Sequence, residues 1–256
     1  MLPSGYEYTE ALSSKQSIFV NNYRNEFINQ IVKMTPVNYV YDSLAKHSRF
    51  VEERKRDAAY DDHRDRINYS FNKLGETKHY ESPYFVMAHI VSPHPPFIFT
   101  PDGRMKDIKT GFTFGDGTHI TQGSPDKVAE YKEDYIDQIQ YINSRVLKAI
   151  DSIIAHAGGS NRSIVIVLQS DHGPGSELHW GGAERTNVRE RMSILNAYYF
   201  SDKDYQQLYN TITPVNSFRV ILNKYFGANY SLLEDSSYFS GWGTPFDFVD
   251  VTDKLK

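Results

Sequence analysis

The chain has 256 residues, with 28 Lys and Arg against 32 Asp and Glu, 9 His and no Cys. This length fits one sizeable domain, or one and a half, and the net charge of −4 argues against a nucleic-acid binder that depends on phosphate contacts. The absence of cysteine excludes disulfides, cysteine-rich zinc sites and thiol nucleophiles.

The first residues show no export or membrane signal. Residues 1–10 contain neither a basic residue nor an apolar core, so they do not read as a signal peptide. No run in the chain approaches the ~18 apolar residues of a transmembrane helix. We therefore predict neither kind of segment in this chain.

Helices dominate the predicted N-terminal part. We expect residues 1–79 to form a mostly helical or irregular segment that joins a domain at 80–256. One helix is predicted around residues 25–34. A second is predicted over 49–66, where twelve charges, six of each sign, are typical of a solvated helix that ends at Gly75.

A strand, a long helix and a second strand follow. Residues 84–91 are continuously apolar and flanked by proline, which predicts a strand buried on both faces. After a surface loop at 100–123, apolar residues recur at steps of three and four from Ser124 to Gly158, which predicts a long helix. Residues 163–169 predict a second buried strand. Such a unit places its two strands parallel in one sheet.

The C-terminal part adds further predicted elements. Residues 191–200 form a strand candidate, 215–226 a helix that opens after a Thr-Pro pair, and 246–252 an alternating edge strand. The Gly-rich loop at 174–190 is long and unpatterned, which is typical of a lid over a site. The order of elements predicts an α/β fold with a mostly parallel sheet.

Polar residues follow both buried strands, where open α/β sheets place their sites. His94 follows the first strand, and Asp171 and His172 follow the second. A carboxylate and an imidazole are good ligands for Zn²⁺ or Mn²⁺, and a turn at Gly173 brings both onto one ion. The alternative is a structural Asp that caps a turn beside an incidental His.

Other histidines are weaker candidates. His94 lies between two prolines, so its imidazole is presented rigidly, although a surface histidine is an alternative. His179 follows the Asp-His pair and is a candidate for substrate or a second metal. His89 lies within the predicted strand, where a core histidine with a satisfied nitrogen is the better interpretation.

Arginines suggest an anionic substrate. Arg185 lies in the predicted lid, with Arg189 and Arg191 nearby, and guanidinium groups bind phosphate or sulfate oxygens in pairs. The alternative is a solvated loop with ordinary surface arginines. The chain contains no GxSxG, P-loop, GxGxxG or HExxH motif that would predict other chemistry.

These motifs together resemble the C-terminal half of a sulfatase-like domain of the alkaline-phosphatase/sulfatase superfamily. Within it, the chain is most similar to the bacterial membrane-anchored group of phosphoethanolamine transferases and lipoteichoic acid synthases. The Pro-His-Pro-Pro-Phe block and the later Asp-His-Gly are specific in combination. The resemblance covers roughly residues 80–253 and is carried by 85–99, 164–176, 191–200, 212–227 and 246–253.

The resemblance implies a partial three-layer α/β/α sandwich, alkaline-phosphatase-like, that transfers phosphoryl or sulfuryl groups with a divalent metal (Zn, Mn, Ca or Mg). Asp171 and His172 match the family's late pair of metal ligands. His94 matches a histidine that contacts the substrate's anionic group, and His179 is placed loosely like a further substrate or metal histidine. The implied partners are an anionic ester (sulfate, phosphate or a phospholipid headgroup) and no nucleic acid. The implied location is the extracytoplasmic domain of a membrane-anchored bacterial protein.

The chain departs from the family in one respect. Members carry an acidic first metal ligand and a Ser, Thr or modified Cys nucleophile in the upstream half of the domain, and residues 1–48 contain no match to either. We therefore expect the isolated chain to be inactive and to need that upstream half as a partner. It is interpreted as a piece of a longer protein, a chain with a separate upstream half, or a degenerate member.

Two other functions stay open at this point. One is a non-catalytic module on the same fold that binds an anionic glycan or lipid headgroup. The other is a self-contained metallohydrolase, which requires five side chains to converge: His89, His94, Asp171, His172 and His179.

Overall fold

The computed structural model describes residues 34–77, 80–81, 83–157 and 163–255. The helix predicted around residues 25–34 lies outside these ranges except for its last residue. The described chain forms two compact units. The first unit comprises the described residues up to Phe114 together with Asp134–His156, and the second comprises Gly115–Glu133 with the described residues from Ala157 onward.

Seven stretches of the described chain up to Phe200 are α-helices or β-strands. They are α1 (Pro36–His47), α2 (Arg49–Leu74), α3 (Thr118–Thr121), α4 (Pro125–Ala157), β1 (Val165–Gln169), α5 (Val188–Met192) and β2 (Asn196–Phe200). The remaining elements are α6 (Pro214–Phe226), β3 (Tyr238–Gly241) and β4 (Thr244–Asp250), with short 3₁₀ helices at Ala183–Arg185 and Thr252–Lys254. No helix in these ranges is long and apolar enough to span a membrane.

The two long helices match the sequence predictions. Helix α2 runs through the balanced charges and ends before Gly75, and α4 begins with Pro125 after Ser124. Their apolar stripes build the core of the first unit. This core consists of Tyr60, Ile67, Phe71, Ile98, Phe99, Ile142 and Ala149.

The strand predicted at residues 84–91 is wrong for this structure. These residues form no strand element, and the side chains of Tyr84, Phe85 and Met87 are 44%, 74% and 47% exposed. An apolar run becomes a buried strand only where neighbouring strands supply its hydrogen bonds and cover its faces. Within the described residues, neither named sheet includes it.

The sheets are small and antiparallel, so the expected parallel pairing is not observed. Strand β1 pairs with β2, with Val165 opposite Phe200 and Gln169 opposite Asn196. Strand β3 pairs with β4 as a hairpin in which all seven residues of β4 are exposed. The structure therefore shows a mixed helix and strand fold of α/β type, with two-stranded sheets among the described residues.

The third predicted strand is shorter than expected. Residues 191–200 were expected to be extended throughout, but Arg191 and Met192 close the short helix α5. The side chain of Asn187 accepts a hydrogen bond from the backbone of Glu190 at 3.1 Å, and this N-cap starts the helix. Strand β2 begins only at Asn196.

The loop predicted as an unstructured lid at 174–190 is packed. Leu178, Ala183 and Val188 are buried against Phe239 and Val251 in the core of the second unit. Their burial lowers the conformational entropy of the loop, and the removal of apolar surface from water offsets that loss. The loop is therefore part of this core and not a free lid.

Candidate metal centre

Asp171 and His172 lie where the chain leaves β1. The backbone N–H of Ser170 donates to the carbonyl of Leu195 at 2.9 Å, and the Leu195 N–H returns a bond to the Ser170 hydroxyl at 2.9 Å. This reciprocal pair fixes the strand end. Asp171 follows as an exposed side chain, while His172 is partly buried.

The turn brings the two adjacent side chains together. Asp171 Oδ2 lies 3.5 Å from His172 Nε2. Two ligand atoms that each sit ~2.1 Å from one tetrahedral ion are about 3.4 Å apart. The spacing therefore fits a shared divalent cation, and a carboxylate with an imidazole suits Zn²⁺ or Mn²⁺.

The protonation of His172 can be assigned from its neighbours. Its Nδ1 lies 2.9 Å from the carbonyl oxygen of Gly173, and a carbonyl only accepts, so Nδ1 carries the hydrogen. Burial lowers the pKa of His172, and the positive charge of Arg191 lowers it further. A neutral ring with hydrogen on Nδ1 leaves the Nε2 lone pair directed at the position beside Asp171.

A buried charge pair lies under this turn. Asp116, whose side chain is 4% exposed, accepts hydrogen bonds from the Gly117 N–H, the Tyr131 hydroxyl and Arg191, each at 2.8 Å. Tyr131 Oη in turn accepts from the Gly175 N–H at 3.0 Å. Burial and the Asp116 carboxylate raise the pKa of Tyr131, so its hydroxyl stays a donor.

Sequence reasoning missed Asp116. It lies in a stretch rich in Gly, Thr and Asp that is typical of a surface loop, and nothing local distinguishes a buried aspartate from a turn aspartate. Only the three-dimensional structure reveals the pairing of Asp116 with Arg191, because the two residues are 75 positions apart in the chain. The same pairing corrects the role expected for Arg191, which turns inward to Asp116 and is only 13% exposed.

Arg185 and His179 stay at the surface of the second unit. Arg185 is exposed and its Nε lies 3.3 Å from a carboxylate oxygen of Glu184. His179 Nδ1 accepts from the Gly181 N–H at 3.1 Å, which leaves Nε2 as the protonated nitrogen of the neutral ring. Both residues are available to an anionic ligand as donors.

Three aromatic side chains pack together in the second unit, one of them Trp180, which follows His179 in the chain. Trp180 donates its indole N–H to the carbonyl of Asp116 at 2.9 Å, and its ring stacks on His119 with centroids 5.3 Å apart. Trp242 meets Trp180 edge-on at 5.4 Å and is 72% exposed. We call His119, Trp180 and Trp242 the aromatic patch.

The remaining sequence candidates, His94 and His89, belong to the first unit. His94 Nδ1 donates to the carbonyl of Pro95 at 2.5 Å, so its Nε2 is the unprotonated nitrogen of the neutral ring. His89 is half-buried on a narrow cleft that is also lined by Arg66 and His63.

His63, to which the sequence assigns no role, is the buried titratable group of this cleft. It is 3% exposed and contacts the rings of Phe112 and Phe114 edge-on, with centroids 5.5 Å and 5.3 Å away. Its Nε2 has no hydrogen-bond partner within the part of the chain that the structure describes. Burial, together with nearby His94 and Arg66, lowers its pKa to about 4.

Larger metal clusters are not found. Across residues 34–77, 80–81, 83–157 and 163–255, no group of three or more His, Cys, Asp or Glu side chains is placed to hold a metal ion. Asp171 and His172 therefore offer two of the roughly four ligands that a structural or catalytic Zn²⁺ takes. The five-residue self-contained centre gains no support from the described residues.

Comparison of the chain with protein-family models, with curated proteins and with solved structures finds no match in any of the three.

Proposed function

We propose that this chain is the C-terminal portion of a metal-dependent, sulfatase-like hydrolase, or of a phosphoryl or phosphoethanolamine-type transferase, that acts on anionic esters. The observation that carries the proposal is the 3.5 Å spacing of Asp171 Oδ2 and His172 Nε2 at the exit of β1. Adjacent residues rarely aim two metal-ligating atoms at one point, because successive side chains of an extended chain diverge.

Asp171 and His172 hold the ion in this proposal. A bound Zn²⁺, Mn²⁺, Ca²⁺ or Mg²⁺ supplies Lewis-acid stabilisation of the ester oxygens and lowers the pKa of the attacking group. His179 and Arg185, which lie in the same unit as the metal pair, are the candidates for contacts with the sulfate or phosphate oxygens, as hydrogen-bond donors or charges. The nucleophile and the first metal ligand come from an upstream half of the domain.

The same proposal includes the complete sheet. We propose a three-layer α/β/α sandwich with a mostly parallel sheet, to which the upstream half contributes strands. The exposed apolar side chains of Tyr84, Phe85 and Met87 support this, since a neighbouring strand and a covering helix remove such surface from water. The extracytoplasmic location on a membrane-anchored bacterial protein rests on the family resemblance alone.

The metal pair is tested directly by adding Mn²⁺ to the labelled full chain and recording paramagnetic broadening by NMR. We expect weak binding that broadens Asp171 and His172 before other residues. Asp171→Asn should abolish this selective broadening, while Asp247→Asn, which changes an exposed carboxylate of β4, should leave it unchanged. Broadening that is uniform, or that survives Asp171→Asn, contradicts the proposal.

Catalysis is tested separately. With Mn²⁺ or Zn²⁺ present, the isolated chain should not turn over aryl sulfates or aryl phosphodiesters, because the attacking group is supplied by the upstream half. Turnover that depends on Asp171 would show instead that the chain holds a complete centre.

The second candidate is a non-catalytic module that binds an anionic glycan or lipid headgroup. The aromatic patch favours it, because the exposed indole of Trp242 offers rigid contact area at a low entropic cost, and the donor groups of His179 and Arg185 lie in the same unit. Titration of a sulfated oligosaccharide should quench tryptophan fluorescence, and Trp242→Ala should remove the effect. Binding that is unaffected by both Trp242→Ala and Arg185→Met would contradict this candidate.

A further inference from the structure

We propose that Asp116 and Arg191 are positioning residues that lock His172 in the tautomer with hydrogen on Nδ1 and so direct Nε2 toward Asp171. The inference rests on the proposed metal-binding function for its purpose. Its content, a fixed tautomer, is independent of any bound metal.

Asp116 is held at both of its carboxylate oxygens. Its Oδ1 accepts from the Gly117 N–H and the Tyr131 hydroxyl, and its Oδ2 accepts from Arg191. A buried carboxylate with charge-assisted bonds to both oxygens has little freedom to rotate, because every rotation leaves a charge unpaired. Asp116 therefore fixes the guanidinium of Arg191.

Arg191 in turn holds the backbone of Gly173. The nitrogen of Arg191 that binds Asp116 also donates to the Gly173 carbonyl at 3.2 Å. The Gly173 N–H returns a bond to the Arg191 carbonyl at 2.7 Å. The peptide groups on both sides of Gly173 are thus held from the same residue.

The glycines show how closely the turn lies on the charge pair. A Cβ added to Gly175 would lie 2.5 Å from Asp116 Oδ1, and one added to Gly173 would collide with the carbonyl of Glu190. Only glycine permits this approach of backbone to carboxylate and carbonyl. The backbone at Gly173 and Gly175 therefore packs directly on the charge pair and on neighbouring carbonyls.

The Gly173 carbonyl determines the tautomer of His172. The Gly173 carbonyl receives one hydrogen bond from Arg191 and one from His172 Nδ1 at 2.9 Å, which uses both of its lone pairs. In the other tautomer the Nδ1 lone pair would face this carbonyl at 2.9 Å, a closer approach of two acceptors than the 3.5 Å between Nε2 and the solvent-exposed carboxylate of Asp171. With Arg191 holding the carbonyl in place, the ring keeps hydrogen on Nδ1.

The experiment reads the tautomer of His172 from the ¹⁵N shifts of its two ring nitrogens in the metal-free full chain. We expect the wild type to carry hydrogen on Nδ1. Arg191→Met should increase the other tautomer to a measurable population, and Asp116→Asn should do so by a smaller amount. Arg189→Met, on the same short helix but exposed, should leave the tautomer unchanged.

Mn²⁺ titration of the same samples gives the functional readout. A misplaced ring should weaken Mn²⁺ binding by about tenfold or more, the usual effect of removing an outer partner of a metal ligand. If Arg191→Met does not fold, Asp116→Asn and Arg191→Lys serve as milder variants, expected to shift the tautomer less. Hydrogen on Nε2 in the wild type, or a tautomer that no variant changes, overturns the inference. A tautomer that shifts as expected in a chain that never binds Mn²⁺ supports the positioning network and overturns the proposed metal function.

Discussion

His63 in the first unit and Asp116 in the second are buried titratable side chains of equal exposure, 3% of each residue. Their surroundings differ. His63 packs against two phenylalanine rings, and its Nε2 finds no partner in the described ranges, whereas each carboxylate oxygen of Asp116 accepts at least one hydrogen bond.

The difference shows what decides whether a buried group keeps its charge. Burial disfavours the charged form of any side chain, and only opposite charges and hydrogen bonds restore it. Within the described ranges no partner reaches His63 Nε2, and burial, with His94 and Arg66 nearby, lowers the pKa of His63 to about 4, so it is neutral at pH 7. Asp116 has both kinds of partner: it accepts from Tyr131 and forms an ion pair with Arg191 beneath the Asp171–His172 turn.

The largest effect is expected when the ion pair is broken on one side. Asp116→Leu leaves the Arg191 guanidinium buried without a counter-charge, which should lower the free energy of unfolding by about 3–5 kcal/mol. Urea titration of the full chain measures this. The double variant Asp116→Leu/Arg191→Leu should recover much of the loss, since no charge is then left unpaired. A loss below about 1 kcal/mol in the single variant would contradict the contrast with His63.

The next effect is the pH dependence contributed by His63. Its pKa in the folded chain is about 4, below the ordinary histidine value of 6.5, so the unfolded chain binds the proton first. The resulting stability is fully present above about pH 6.5, falls as the pH drops from 6.5 to 4, and the loss should reach about 3 kcal/mol. His63→Gln cannot titrate, so its unfolding free energy should fall less than that of the wild type over this window. If the unfolding free energies of the wild type and of His63→Gln changed in parallel with pH, a buried neutral imidazole at His63 would be excluded.

A smaller effect is expected from Tyr131. Tyr131→Phe removes a donor to Asp116 and the acceptor of the Gly175 N–H, which leaves two buried polar groups without this partner. We expect a loss of about 1–3 kcal/mol in urea unfolding. Tyr225→Phe, whose hydroxyl bonds an exposed aspartate at 3.0 Å, is the matched control and should cost less.

The smallest effect is expected at an exposed ion pair of the same unit. Lys132 and Glu177 are 3.3 Å apart and their side chains are 47% and 41% exposed. Lys132→Met should change the unfolding free energy by less than about 1 kcal/mol, and added salt should reduce even that. A change comparable to that of Asp116→Leu would show that burial does not explain the different contributions of the Lys132–Glu177 and Asp116–Arg191 pairs to stability.

The sequence predicts features that neighbouring residues determine. Helix α4 follows from the spacing of its apolar residues together with the Ser-Pro start, and both signals lie within the helix itself. The approach of Asp171 to His172 follows from a glycine turn directly after a strand, which is also local. The strand predicted at residues 84–91 is wrong because an apolar run shows that its side chains favour burial but does not show which other segment covers them.

Features made by distant residues were not predictable in the same way. The charge of Arg191 is visible in the sequence, but its direction toward Asp116 depends on how two loops fold together. His63 stands in a run of balanced charges and looks exposed, yet it lies on the buried stripe of α2 with Tyr60 and Ile67. A helical stripe, tested residue by residue, would have found it.

The exposed hairpin of β3 and β4 has a consequence for the solubility of the chain. Strand β4 carries Phe246 and Phe248, which are 89% and 64% exposed, and in the described residues its sheet has only one other strand, β3. Pro245 lacks the backbone N–H that an added strand would need, and Asp247 and Asp250 place like charges along any symmetric pairing. We therefore expect these three residues to oppose fibril-like stacking of the ribbon, despite its exposed aromatic surface.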